Sequence, residues 1–183
     1  MIRVFDNLDR FSEEQYQRLY EQLPPSRKEK AAVRDGNNRK VAISEYFLLN
    51  ELLNLTDNVD FSYNENGKPL LSGYNFSISH CDDVICIAIG ETQIGVDIEK
   101  IRKYNENFAK FILNDEELAF IEKQPNKDEL ITKFWTQKDA TIKCLGLALN
   151  TPLKNVINGE QFDYKLDKYK DYYLCQCTLK NKM

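Results

Sequence analysis

Three observations along the chain agree with an α+β fold. Three strand-like runs follow one another between Phe76 and Glu99, separated only by short turns. Two segments, 104–122 and 130–147, have a helical character instead, the second with apolar residues at helical spacing. The chain then ends on another pair of strand-like runs, 162–168 and 172–179. Strands grouped with strands and helices grouped with helices, rather than in strict alternation, are the pattern of an α+β architecture.

Each element has a local reason. Ile2 to Asp6 reads as a short strand. Ser12-Glu13-Glu14 opens a helix with a capping serine, and Pro24-Pro25 stops it after Leu23. A basic segment follows, with Arg27, Lys30, Arg34, Arg39 and Lys40. Val41, Ile43, Phe47, Leu48, Leu52 and Leu55 recur at helical spacing, so a second helix spans about 38–55. Asn64-Glu65-Asn66-Gly67 is a turn leading into Lys68-Pro69. Phe76 to His80, Val84 to Ile89 and Ile94 to Glu99 read as strands, the last two joined by a turn at 90–93. After Arg102 the character changes to charged helix. The expected division is therefore a first subdomain of 1–103 and a second of 104–183. Both halves end in strands after helices.

Composition excludes several functions. The chain of 183 residues is 42% hydrophobic, enough for one substantial core or two small ones sharing an interface. Its net charge of −4 gives no footprint for bulk nucleic-acid binding. Five cysteines, an odd number without C-x-x-C spacing, and a single histidine argue against a zinc site or a disulfide framework. The N-terminus lacks a signal-peptide layout, and no apolar run approaches the ~18 residues of a membrane span. A soluble cytoplasmic protein is expected.

Four constellations carry chemistry. Gly95-Val96-Asp97-Ile98-Glu99 puts two carboxylates on one face of a strand, roughly 6.5–7 Å apart along it. Val96 and Ile98 point the other way, into a core. Two like charges on one face favour a hard divalent cation such as Mg²⁺, which takes oxygen ligands. On the helix around 131–146, Asp139 and Lys143 lie one turn apart on the side of Trp135, at the border of an apolar stripe into which Lys138 projects. Ser77 and Ser79 share a strand face that ends in His80, groups suited to phosphate oxygens. Arg27, Lys30 and Arg39, with Lys68, form a basic set. Each alone also has a plain structural reading: a solvated edge strand, a surface ion pair, a strand end, a solvated helix start.

Their order and spacing are more specific than any one of them. Gly67-Lys68-Pro69, then Phe76 to His80, then Gly95 to Glu99, then Phe134-Trp135-Thr136-x-Lys138-Asp139-Ala140-x-x-Lys143, resemble in sequence the motifs of the 4′-phosphopantetheinyl transferases that activate nonribosomal peptide and polyketide synthases. Pro25 to Lys30 and Arg39 resemble that family's basic N-terminal segment. Beyond Leu153 the similarity is one of pattern only. One position departs: the family's usual Lys-Glu is Lys138-Asp139 here, one methylene shorter. Either the helix sits closer to the strand or Asp139 acts through a bound water.

The resemblance implies a fold of two similar subdomains, each a small antiparallel sheet packed on a long helix, with the ligand in the cleft between them. It implies coenzyme A as donor, an apo acyl or peptidyl carrier protein as acceptor, and 3′,5′-ADP as leaving group. Asp97, Glu99 and Asp139 then hold Mg²⁺, with Mn²⁺ as the alternative, and Lys143 neutralises the diphosphate. Arg27, Lys30, Arg39, Lys68, Ser79 and His80 contact the nucleotide side. Trp135 supports the pocket, and Glu116 stands where the family often has a further acidic group. The proton acceptor for the serine stays open among Asp139, Glu99 and metal-bound water. Lys100, Arg102, Lys103 and Lys110 form a positive stretch suited to an acidic carrier. A monomer is expected, since one chain supplies both halves of the site. Two other functions compete: a non-catalytic module binding coenzyme A or the carrier, and an acyl transferase using His80 with a cysteine or serine. The second is disfavoured because Cys81 adjoins His80 and no G-x-S-x-G elbow exists.

Overall fold

The chain folds into two three-stranded antiparallel sheets, each covered by one long helix. A computed structural model describes residues 1–148, 151–156 and 161–180. The elements are β1 (Ile2–Phe5), α1 (Glu13–Gln22), α2 (Pro25–Ala32), α3 (Gly36–Leu53), β2 (Ser62–Tyr63), β3 (Pro69–Leu70), β4 (Asn75–Cys81), β5 (Val84–Gly90), β6 (Ile94–Lys100), α4 (Glu106–Ile112), α5 (Asp115–Glu122), α6 (Lys127–Leu145), β7 (Phe162–Tyr169) and β8 (Tyr172–Leu179). The sheets run β1-β5-β4 and β6-β8-β7. Both follow one plan: a first strand, a long helix, then a hairpin whose second strand becomes the central one. The architecture is α+β, with α3 standing in the first half where α6 stands in the second.

The sequence reading gave β6 to the first half, with a boundary at 103. Strand pairing gives it to the second: Asp97 lies opposite Cys175 and Glu99 opposite Tyr173 on β8. Alternation identifies a strand and its faces but not its partner, which depends on distant sequence.

Two local readings also change. Pro24-Pro25 ends α1 but equally starts α2, where the missing N–H of Pro25 falls in the first turn and leaves no helical bond unmade. Segment 104–122 is two helices. Leu113 is extended, and Asn114 caps α5 through reciprocal bonds with Glu117. Ser12 caps α1 in the same way, through Gln15.

The core has four parts. α3 buries Val41, Tyr46 and Leu49 against Phe76, Ile85 and Ile87 of the first sheet. Cys86 and Ala88 of β5 meet Val96 and Ile98 of β6, joining the two sheets. α4, α5 and α6 share Ile112, Ile121, Ile131 and Ile142. Ala140 and Cys144 of α6 pack on Cys175 and Cys177 of β8. Where α6 crosses β6 the backbones touch. A Cβ on Gly95 would stand 2.0 Å from the Ala140 carbonyl oxygen and 2.3 Å from the Cys144 nitrogen. Only glycine lets helix and strand approach so closely. No helix among the described residues is long and apolar enough to cross a membrane.

Candidate active site

β4, β6 and α6 meet at one buried cluster of charge. β4 and β6 are linked by serines: Ser77 Oγ accepts from the Val96 N–H at 3.0 Å, and Ser79 Oγ from the Ile98 N–H at 3.3 Å. Ser79 donates to Asp97 Oδ1 at 2.7 Å and accepts from Lys143 Nζ at 2.9 Å. The Lys143 ammonium also bonds Asp97 Oδ1 at 2.7 Å and Asp139 Oδ2 at 2.9 Å. Asp97 is 1% exposed and Asp139 5%. Each keeps one buried oxygen without a hydrogen-bond partner, Asp97 Oδ2 and Asp139 Oδ1.

The electrostatics follow. Burial pushes the Asp139 carboxyl well above the usual carboxylate range; Lys143 opposes this and Asp97 reinforces it. Burial disfavours the Lys143 ammonium, but the charges of Asp97 and Asp139 outweigh it and raise its pKa above that of an ordinary lysine.

Glu99 follows Asp97 on the same face but is satisfied elsewhere. Trp135 Nε1 donates to Glu99 Oε1 at 2.7 Å, and Arg102 bonds Glu99 Oε2. The Arg102 guanidinium lies over Phe108 and Trp135. Among the described residues no group of three His, Cys, Asp or Glu side chains is set to hold a metal ion. Asp97 and Asp139 each keep an oxygen free for a cation, while Glu99 is engaged with Trp135 and Arg102. Their unpartnered buried oxygens and net negative charge fit a hard divalent cation; the oxygens of Glu99 are taken.

The predicted nucleotide-side residues separate into three environments. Arg27, Lys30 and His80 converge on Glu45, a buried carboxylate of α3 that the sequence reading did not single out. Arg27 Nη2 lies 2.9 Å and Lys30 Nζ 2.8 Å from Glu45 Oε2, while His80 Nδ1 lies 2.8 Å from Oε1. Burial alone would raise the Glu45 pKa; the His80 bond and the charges of Lys30 and Arg27 overcome it and hold it well below the usual range. Arg27 is fully buried, so its expected direct contact with the nucleotide is not made in this arrangement. A signal was present: Glu45 is the one charged residue in the largely apolar stretch from Val41 to Leu49.

Lys68 forms the second environment. Its ammonium bonds backbone carbonyls at the end of α6 instead of facing a cavity as a free cation. Arg39 forms the third. It stacks over Tyr20 at 4.3 Å and lines a separate polar cavity with Arg34 and Lys40. A cavity of about 240 Å³ beside the acid–lysine cluster is lined by Lys30, Gly67, Lys68, Ser77 and Lys143.

Other expectations are corrected here. Glu116 is exposed; its neighbour Glu117 instead bonds the fully buried Lys138 at 2.6 Å. Lys138 also donates to the Ile112 and Leu153 carbonyls, so it braces α4 and the following loop against α6. The positive stretch is largely neutralised: Lys100 pairs with Asp82 and Asp171, Arg102 with Glu99, and Lys110 with Glu106. Ser79 bonds Asp97 and Lys143 within the acid cluster.

Comparison with known proteins fits this site. Residues 93–178, from the turn before β6 into β8, match the model of the 4'-phosphopantetheinyl transferase superfamily. The chain is similar to that superfamily over this stretch, a little under half of its length. It is 28% identical over 120 residues to the 4'-phosphopantetheinyl transferase gsp of Aneurinibacillus migulanus, covering 63% of this chain and 50% of that protein. It is 33% identical over 101 residues to the 4'-phosphopantetheinyl transferase Sfp of Bacillus subtilis strain 168, covering 52% and 45%. The chain thus spans about half the length of these curated relatives. The crystal structure of the Thermotoga maritima holo-[acyl-carrier-protein] synthase is similar over 50% of this chain and 64% of that one, at 19% identity and a TM-score of 0.42.

Proposed function

We propose that the protein transfers the 4′-phosphopantetheine arm of coenzyme A to a serine hydroxyl of an apo carrier protein, releasing 3′,5′-ADP. The observation that carries this reading is the convergence of Asp97 and Asp139 on Lys143, from two motifs on separate elements, each acid keeping one unpartnered buried oxygen. The relatives' names support the same chemistry.

The serine oxygen attacks the phosphorus on the pantetheine side of the diphosphate. A P–O bond forms to serine, and the bridging P–O bond breaks toward the departing nucleotide. Asp97 and Asp139 would hold Mg²⁺, with Mn²⁺ the alternative, and the bound cation would supply charge neutralisation to the diphosphate oxygens. Lys143 adds its own charge at the cavity wall, which Lys30 also lines. Ser79 and Lys143 together hold Asp97 in one orientation. Asp139, paired with Lys143 and keeping Oδ1 unpartnered among the described residues, is the freer acceptor for the serine proton. Trp135 orients Glu99.

The acceptor is a small carrier domain, and with most of 100–110 paired internally, its recognition rests less on the expected positive stretch than on the cleft itself. A monomeric, cytoplasmic protein is the natural setting. Five unpaired cysteines support a reducing compartment, and net charge −4 speaks against nucleic acid as a partner.

The test is incubation with coenzyme A, Mg²⁺ and apo carriers of fatty-acid, polyketide and peptide pathways, read by intact-protein mass spectrometry. Addition of one phosphopantetheine to a carrier, abolished by chelation, is expected. Coenzyme A binding without transfer to any carrier would overturn the enzyme reading in favour of a binding module.

A further inference from the structure

The turn between β2 and β3 reaches across the molecule to the end of α6. It is built to be rigid. Asn64 Oδ1 accepts from the Asn66 N–H at 3.0 Å and the Lys68 N–H at 2.8 Å, and Gly67 takes a positive φ of 81°. Three of its side chains then point the same way. Asn64 Nδ2 and Asn66 Nδ2 donate to the Gly146 carbonyl at 2.8 and 2.9 Å. Lys68 Nζ donates to the carbonyls of Lys143 at 2.6 Å and Cys144 at 3.3 Å, and to that of Ile94 at 3.1 Å.

These acceptors are the groups a helix leaves unsatisfied. α6 ends in a left-handed Gly146, whose N–H returns to Ile142 and Lys143. The last carbonyls need donors from outside, and an ammonium there also complements the negative end of the helix dipole. The donors come from about eighty residues earlier in the chain. Lys68 ties three segments at one atom: its own hairpin, the start of β6 and the end of α6. Lys143 is consequently held twice, by its carbonyl to Lys68 and by its ammonium to Asp97.

We propose that Asn64, Asn66 and Lys68 form a clasp that positions α6 against β6, and that Lys68 acts on the Asp97–Lys143–Asp139 cluster through the helix end and not by contacting a phosphate. The kinetic part of this proposal rests on the transferase reading; the structural part does not. The hairpin also forms one wall of the cavity beside the cluster, with the end of α6 opposite.

Lys68→Met keeps the aliphatic stem and removes the donor; Lys68→Arg keeps a cation that can donate. Three readouts separate the roles: amide hydrogen exchange at residues 145–147 in the free protein, coenzyme A affinity by calorimetry, and the kcat and KM of carrier loading. Lys68→Met is expected to accelerate exchange at the helix end about tenfold. It should lower kcat about tenfold while leaving coenzyme A affinity within about twofold. Lys68→Arg should restore both. Unchanged exchange, a tenfold loss of coenzyme A affinity, or an unaffected kcat in an active protein would each overturn the proposal. If the wild-type chain loads no carrier, the transferase reading fails and the exchange result alone decides the clasp. Should Lys68→Met not fold, Asn66→Ala removes one of the two amide donors to Gly146 and is judged by the same exchange and affinity criteria.

Discussion

Asp97 on β6 and Lys143 on α6, separated by 46 residues of sequence, share an ion pair of 2.7 Å in which the carboxylate is almost wholly buried. A buried pair of this kind is poor evidence for stability, because desolvating both charges offsets most of their attraction. Its value lies in geometry. It locks the helix that carries Asp139 to the strand that carries Asp97. It also leaves one oxygen of each acid free of hydrogen bonds.

Replacing Asp97 by Asn keeps the shape and the contact with Ser79 while removing the charge. Transfer to an apo carrier is expected to fall by about a hundredfold or more, the scale seen when a preorganised electrostatic group is removed. Lys143 keeps Asp139 as a partner, so the thermal midpoint should shift by only a few degrees. Carrier loading by mass spectrometry and a melting curve on the same sample check both halves. An Asn variant that loads carriers at the wild-type rate would remove Asp97 from the mechanism.

Gly95 permits the contact between helix and strand. Adding a methyl group there puts a carbon 2.0 Å from the Ala140 carbonyl, a backbone atom that cannot rotate away. Gly95→Ala should therefore push α6 off β6, costing about 1–3 kcal/mol or more as overpacking. It should reduce transfer beyond what the stability loss explains. Urea unfolding and activity at a temperature where the variant stays folded separate the two effects.

Much of this site was legible because its signals are local. Alternation around Asp97 predicted which residues face inward, and Val96 and Ile98 are buried in the core on the opposite face. The one-turn spacing of Asp139 and Lys143 predicted their shared helix face, and they do pair. What failed depended on distant partners. The pairing of β6 with β8 is set by residues some 75 positions away, and nothing in 94–100 encodes it. The basic residues near the N-terminus looked like free phosphate contacts because their counter-ion, Glu45, lies on the next helix. Lys68 looked the same because its acceptors are backbone carbonyls, which a sequence motif cannot display.

Lys138 should behave as a structural residue although it stands beside Asp139. Its ammonium is fully buried, bonded to the carbonyls of Ile112 and Leu153 and to Glu117. Lys138→Met fills the volume but strands two carbonyls and a carboxylate, at about 1–3 kcal/mol for each buried group left unpaired. Adding Glu117→Leu should recover part of that loss, giving a positive coupling in a double-mutant cycle. Additive losses in denaturant unfolding would show that the two side chains do not act together.

Glu45 supplies the pH dependence. Its ordinary pKa is 4.5, and in the folded protein the bonds and charges of His80, Lys30 and Arg27 hold it well below that value despite burial. The unfolded chain therefore binds a proton at a pH where the folded chain does not. Stability from this group is fully present above about pH 4.5 and is lost progressively as pH falls through the lower folded value. Glu45→Gln leaves Arg27 buried without its counter-charge and should cost about 3–5 kcal/mol near neutral pH. Because the glutamine does not titrate, the gap between wild type and variant should narrow as pH drops below 4.5. Urea unfolding of both proteins in steps from neutral pH to pH 3 measures that gap directly. A gap constant across the range would mean that folding does not shift the Glu45 pKa, against the lowered value that its His80, Lys30 and Arg27 contacts imply.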